Sequence, residues 1–339
     1  MTKDQDRRSL VTGLGAGLAV MASAPILESR PAAAQSPRKE PSKEPVAGLT
    51  DPRSRHPKPP FEAQSQPWPG LASKMNPRPD HGEQSYKGSG RLAGRKALIT
   101  GGDSGMGRAA AIAYAREGAD VIINYLPAEE EDAQEVLALI KDAGRKGLGI
   151  AGDLREETFC KNLVDQAAQA LNGLDIVINN AGRQQTQASI LDITSEDFDA
   201  TIKTNIYAPF WISRAALPHL KPGSVIIYTA SVQAYDPSED LHDYAQTKAA
   251  NMNAVKSLAK QLGPKGIRVN GVAPGPVWTP LQVSGGATQE KLKKFGSDTV
   301  FGRPGQPAEL ASIYVQLAMS DASFATGQIY GAAGGHGQP

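Results

Sequence analysis

Cysteine is almost missing from this chain. Cys160 is the only one in 339 residues, which excludes an intramolecular disulfide framework; it reads as a buried or half-buried helix residue. An excess of either charge is also missing. The chain carries 36 Lys and Arg against 35 Asp and Glu, so no electrostatic footprint points to nucleic acid. The five histidines (His56, His81, His219, His242, His336) show no close ligand spacing, and no protein-built metal site is expected. Long apolar runs are lacking too. The stretch from Val11 to Leu27 is weakly apolar and broken by Gly13, Gly15 and Gly17, which argues against a membrane anchor.

What is present falls into three compositional zones. Residues 1–34 open with polar residues and Arg7-Arg8, continue through that apolar stretch and close with Ala32-Ala33-Ala34. Charge, apolar core and small-residue cleavage site in this order resemble a twin-arginine export signal, which predicts a periplasmic or exported protein; without export the location is cytoplasmic. Residues 35–90 are rich in proline from Pro37 to Pro79 and are expected to be extended. Phe61, Trp68 and Tyr86 suggest that the later part lies on a folded surface, with a free linker over 35–55. Residues 91–339 form the third zone.

There the chain alternates strand-like and helix-like runs. Lys96–Thr100, Asp120–Asn124, Gly147–Ala151, Asp175–Asn179, Ser224–Tyr228, Ile267–Asn270 and Gly327–Tyr330 read as strands. Helices follow over 108–117 and 128–143. Parallel strands require crossover helices, so the rhythm predicts an α/β Rossmann-type, doubly wound parallel sheet of seven strands. Ligands of such sheets bind at the carboxyl ends of the strands.

The chemistry-bearing residues fall at those ends. Thr-Gly-Gly-Asp-Ser-Gly-Met-Gly (100–107) lies between the first strand and the first helix. Gly101 permits a tight bend, while Gly105 and Gly107 let a pyrophosphate and the sheet approach the helix N-terminus. Tyr244 and Lys248 stand four residues apart, with Ser231 thirteen residues before Tyr244. On a helix that spacing places the Lys248 ammonium beside the Tyr244 ring. Taken singly, these are a core tyrosine, a surface lysine and a turn serine. In this order they form a phosphate cradle followed by a phenol poised to trade protons, as a nicotinamide-dependent carbonyl/alcohol oxidoreductase requires.

These residues resemble the short-chain dehydrogenase/reductase family over nearly all of 91–335. The glycine turn matches that family's TGxxxGxG segment, and Asn179-Asn180-Ala181-Gly182 matches its NNAG motif. Asn205, Ser231, Tyr244 and Lys248 fall at its catalytic tetrad. Asn270 to Gly275, followed by Thr279, matches the segment that holds the nicotinamide carboxamide. The resemblance implies cofactor contacts from Gly101, Ser104, Gly105, Met106, Gly107, Asn124, Tyr125, Asp153, Leu154, Asn180, Ala181, Gly182, Tyr244, Lys248, Pro274, Gly275, Val277 and Thr279, with Asp153 near adenine. It is closest to a bacterial subgroup of glucose/ribitol-dehydrogenase-like proteins and aldehyde reductases, which shares the Gly-Asp-Ser turn, the acidic stretch 124–132 and a proline-rich arm. A homotetramer is implied by the same resemblance.

The expected reaction interconverts a carbonyl and an alcohol. Tyr244 is the general acid/base, made more acidic by Lys248 and an oxidised nicotinamide. Ser231 bonds the substrate oxygen, and Asn205 orders a water linking Lys248 to solvent. The second strand ends in Asn124 and Tyr125 rather than the acid that binds a ribose 2′-hydroxyl. The expectation therefore leans slightly to NADP(H), with NAD(H) close behind, and Arg108 is the candidate for a 2′-phosphate. A lid is expected over 280–303. Gln184, Gln185 and Gln233, with Trp278 and Tyr235 as apolar walls, suit a sugar, polyol or small aldehyde. Two alternatives remain at this point: an exported enzyme that keeps its cofactor tightly bound between two substrates, and a non-catalytic binding protein on the same fold.

Overall fold

Seven short runs dominated by Val, Ile and Leu pair side by side in the computed structural model, which describes residues 49–337. The paired arginines and the small-residue site lie outside the described residues. The strands are β1 (Lys96–Thr100), β2 (Asp120–Tyr125), β3 (Gly147–Ala151), β4 (Ile176–Asn179), β5 (Val225–Thr229), β6 (Arg268–Pro274) and β7 (Ile329–Ala332). They form one sheet in the order β3-β2-β1-β4-β5-β6-β7, and every neighbouring pair is parallel. Strand β1 is central in the winding: Ala97 lies opposite Val121 of β2 on one side and Ile176 of β4 on the other. The order reverses between β1 and β4, opening a crevice at their carboxyl ends.

Both faces of the sheet are covered, which is why its strands are apolar without alternation. Ala97 and Ile99 pack against α1 (Gly105–Arg116), α2 (Glu130–Asp142) and α9 (Pro307–Ala318). Leu98 points the other way, toward α3 (Glu157–Leu171), α5 (Ala208–Ala216) and α6 (His242–Leu262). Cys160 is buried on α3, with its thiol bonded to the Leu154 carbonyl. Between α4 (Ser195–Ile202) and α5 the helix widens into a π-helical turn over Lys203–Tyr207. After β6 come two short helices, α7 (Pro280–Ser284) and α8 (Gln289–Lys293), in the segment expected to form the lid.

The proline-rich segment before β1 is pinned to this body by side chains. Phe61 is buried and stacks on Trp278, with ring centroids 4.3 Å apart. The Trp278 indole donates to the Pro77 carbonyl at 2.8 Å, and the Gln66 backbone N–H donates to the Val283 carbonyl on α7 at 3.0 Å. The Ala72 and Ser73 amides donate to the Asp132 carboxylate on α2. Arg303 reaches the Pro52 carbonyl at 2.8 Å. At the far end, buried Glu117 closing α1 accepts from Tyr86, Ser89 and Arg91 and is held down to about 2 by those donors against its burial. The arm thus runs from the lid to α2 across the carboxyl edge of the sheet.

Candidate active site

The glycine turn is built by a close approach between backbones. Gly101 takes a left-handed φ of 60°, and any Cβ on Gly107 would lie 1.9 Å from the Gly101 carbonyl oxygen. Asn180 after β4 clasps the turn, donating its side-chain amide to the carbonyls of Thr100 and Gly101 at 3.1 and 3.0 Å. Ser104 is the N-cap of α1 in an extended conformation and makes no side-chain capping bond. The first amides of α1 are therefore left for an anion at the helix N-terminus.

In front of this turn lies a groove of about 520 Å³ running along the carboxyl ends of the strands. It is walled by Gly101, Ser104, Gly105 and Met106 from the turn, by Asn124 and Tyr125 from β2, and by Asp153 and Leu154 after β3. Asn180, Ala181 and Gly182 line its middle, and Tyr244, Lys248, Pro274 and Thr279 line its far end. These are residues the sequence places at a dinucleotide site, and the set fits one: a helix start without a side-chain cap and a floor of glycines without side chains. Gly107, Gly275 and Val277 stand behind the wall. Gly275 lies against the backbone of Ala333, and Val277 is buried.

At the far end Tyr244 and Lys248 project from the first turns of α6, and both are buried. The Lys248 ammonium lies 5.3 Å from the centre of the Tyr244 ring and donates to the Thr229 carbonyl at 2.8 Å. Burial pushes the Tyr244 phenol up to about 12, opposed by a hydrogen bond from Ser231, and pulls Lys248 down to about 8. The acidic phenol expected from the sequence is therefore not a property of the protein groups alone. Their shared desolvation favours the neutral form of each.

Ser231 caps a short turn over Val232–Ala234 and accepts the Gln233 amide at 3.2 Å. Asn205 sits in the π-helical turn, wholly buried. Its side chain accepts from the Arg183 amide and donates to the Arg183 carbonyl, both at 2.8 Å, and donates to Thr247 Oγ1 at 3.0 Å. Thr247 in turn donates to the Tyr244 carbonyl at 2.6 Å. Asn205 therefore ties the segment after β4 to the helix that carries the tyrosine; π turns recur at such sites.

Three expectations are corrected here. Arg108 does not enter the groove: it is 1% exposed and its guanidinium pairs with Glu83 and Glu135 beneath the arm. Trp278 is no wall of the groove, because Phe61 covers it. Gln233 turns its side-chain oxygen to Ser238. Sequence reasoning missed Trp68, Pro69 and Gly70 of the arm, which roof the groove, and the acids Asp103 and Glu129 on its adenosine side. Trp68 stands over the Arg183 guanidinium at 5.6 Å. A glycine after a proline-flanked tryptophan was the available signal: Gly70 meets Ser284 and the Pro280 carbonyl on α7, where a Cβ would have to fit at 3.1–3.2 Å.

The fold and the site define a nicotinamide-type oxidoreductase architecture, and comparison with known proteins agrees. Residues 101–336 match the family described as enoyl-(acyl carrier protein) reductase. The uncharacterized oxidoreductase YghA of Escherichia coli is 54% identical over 290 residues, covering 86% of this chain and 99% of that protein. The glucose and ribitol dehydrogenase of Daucus carota is 42% identical over 82% of this chain and 96% of its own length. Among solved structures, a short chain dehydrogenase from Burkholderia cenocepacia in complex with NADP superposes with a TM-score of 0.68 at 35% identity, covering 72% of this chain and 98% of that one. The 3-ketoacyl-(acyl-carrier-protein) reductase of Brucella melitensis, complexed with NADH, gives 0.65 at 31% identity with the same coverage. The chain belongs to the short-chain dehydrogenase/reductase family.

Proposed function

We propose that the protein interconverts a carbonyl and an alcohol with NAD(P)(H), using Tyr244 as general acid and base. The observation that carries this is the buried pair of Tyr244 and Lys248 at one end of a groove whose other end is the glycine turn. A bound nicotinamide supplies or accepts the hydride. Tyr244 donates its proton to the developing alkoxide and recovers it in the reverse direction. Lys248 holds positive charge beside the phenol and would hold the ribose hydroxyls of a bound cofactor, while Ser231, bonded to the Tyr244 phenol, would hydrogen-bond the substrate oxygen. Asn205 fixes Tyr244 through Thr247. The cofactor complexes of the neighbours, NADP in one and NADH in another, together with the lack of an acid at the end of β2, support NADP(H) first and NAD(H) next.

The substrate class we favour is a sugar, polyol or small aldehyde. The name of the carrot relative supports it, as do the side chains of Gln184 and Gln185 near the lid glycines Gly285 and Gly286. A second reading rests on the arm. Trp68 to Gly70 roof the groove, which suits an exported enzyme that retains its cofactor, in keeping with our reading of residues 1–34 as an export signal. We also read the assembly as a homotetramer. The test of the central reading is turnover of short aldehydes, sugars and polyols with each cofactor, in wild type and Tyr244→Phe. Loss of proton transfer should lower turnover by roughly 10²–10⁴-fold with cofactor affinity kept; a variant retaining more than about a tenth of the activity removes Tyr244 from that role.

A further inference from the structure

We propose that the proline-rich arm and the lid form one cover, folded on each other rather than on the sheet, and that a dinucleotide leaves the groove only when this cover lifts as a unit. The second half rests on the dinucleotide reading above; the first does not. The lid has little to hold it by itself. Helices α7 and α8 have five residues each, too few to be stable without packing. No residue of 280–295 belongs to the apolar clusters on the two faces of the sheet. The lid's apolar side chains gather in a third, smaller cluster, where Val283, Leu292 and the partly buried Phe295 meet Phe61 and Met75 of the arm around Trp278.

Backbone bonding repeats the pattern. A helix leaves its last carbonyls without partners of its own, and here the arm supplies the donors. The Gln66 N–H reaches Val283 near the end of α7, and the Phe61 N–H reaches Lys293, the last residue of α8, both at 3.0 Å. In the other direction the Gln289 side chain on α8 donates to the Gln64 carbonyl at 3.1 Å. The lid is tied more lightly to the loops beside it. The Thr186 amide donates to the Gly285 carbonyl at 2.7 Å, and Lys291 pairs with Asp240. The Lys291 side chain is half exposed, and pairs of that kind contribute little.

The cover lies over the catalytic end. Trp68 and Gly70 of the arm and Pro280, Leu281 and Ser284 of the lid line the same groove. Trp68 stands over Arg183, whose neighbour Gly182 lies beside the Lys248 ammonium, where a Cβ would be 3.6 Å from it. Arm and lid together therefore close the stretch of groove that leads to Tyr244 and Lys248. Lifting either one alone would strip one side from the cluster around Trp278 and expose what the other leaves behind, so their opening is coupled.

Coupling of this kind is reciprocal: a change in the lid must loosen the arm as a change in the arm loosens the lid. The test is hydrogen–deuterium exchange on the full chain for wild type, Phe61→Ala in the arm and Leu292→Ala in the lid. NADPH release is then timed on the same three proteins by stopped-flow fluorescence. Truncating either buried side chain should raise opening about tenfold or more. Each variant should speed exchange by one common factor in both 61–77 and 280–295, while β1, β4 and β5 stay protected and show that the body is folded. NADPH release should accelerate in both variants alike. Exchange that rises only in the mutated segment shows two parts opening separately and overturns the inference. Joint opening with an unchanged release rate overturns its second half. A wild type that binds no NADPH overturns the dinucleotide reading and that second half with it, and exchange then decides the joint cover by itself.

Discussion

Removing the Phe61 ring should release the arm without unfolding the sheet. The ring is 5% exposed and lies nearly parallel to Trp278, at 23° between planes. Truncating a buried phenylalanine to alanine costs about 3–5 kcal/mol. The rest of the arm is held by a handful of hydrogen bonds, each worth about 0.5–1.5 kcal/mol net. The stacked pair is therefore the largest single contribution to docking of residues 57–80. Phe61→Ala should raise the open population of the arm by roughly 10²–10⁴-fold, at about 1.4 kcal/mol per tenfold. Limited trypsin digestion reads this at the Lys74–Met75 bond, because cleavage tracks the open population when reclosing is fast. The cut should accelerate by that factor, while the melting temperature of the seven-stranded body moves little. An unchanged rate at Lys74 would refute Phe61 as the anchor. Equal acceleration at sites within 91–337 would show instead that arm and sheet open as one unit.

Other consequences can be measured independently. Gly107→Ala should abolish dinucleotide binding, seen by calorimetry, because the new Cβ would overlap the Gly101 carbonyl and force the turn open. Glu117 has its folded-state value depressed to about 2, so its contribution is present above the unfolded value near ~4.3 and is lost as pH falls toward 2. Glu117→Gln should cost roughly 3 kcal/mol at pH 7 by thermal unfolding and much less at pH 3, since one unit is about 1.4 kcal/mol. Burial pulls Lys248 down to about 8; carbonyl reduction is therefore expected to decline as pH rises through that value, and Lys248→Arg, which keeps its charge, should flatten the decline at a lower overall rate. Phe210 and Tyr207 are exposed on consecutive turns, and if the homotetramer uses that face, Phe210→Asp should reduce the mass measured by light scattering.

The sheet was legible because its strands are buried on both faces, so β1, β2 and β5 carry unbroken apolar runs that no solvent-facing residue interrupts. Strand ends were less so. Strand β6 continues to Pro274, beyond the Ile267–Asn270 expected, because Gly271 to Pro274 pair with β7, a partner more than fifty residues away. The catalytic residues were legible because their spacing is local: four residues on one helix place Tyr244 and Lys248 together whatever surrounds them. Charge was not. Arg108 follows the glycine turn in sequence and seemed free to meet a phosphate, yet its carboxylate partners Glu83 and Glu135 come from the arm and from α2. The phenol shows the same limit. A lysine and an oxidised nicotinamide nearby predict a lowered value, whereas the protein groups alone, both buried, favour the neutral phenol, and that burial comes from packing of α6 against β5 and β6. In this chain, whatever depends on one element's own periodicity can be read from the sequence, and whatever depends on which distant segment supplies the counter-charge cannot. The groove near the glycine turn is of the second kind: Asp103 and Glu129 line it together only because the fold brings that turn beside the start of α2.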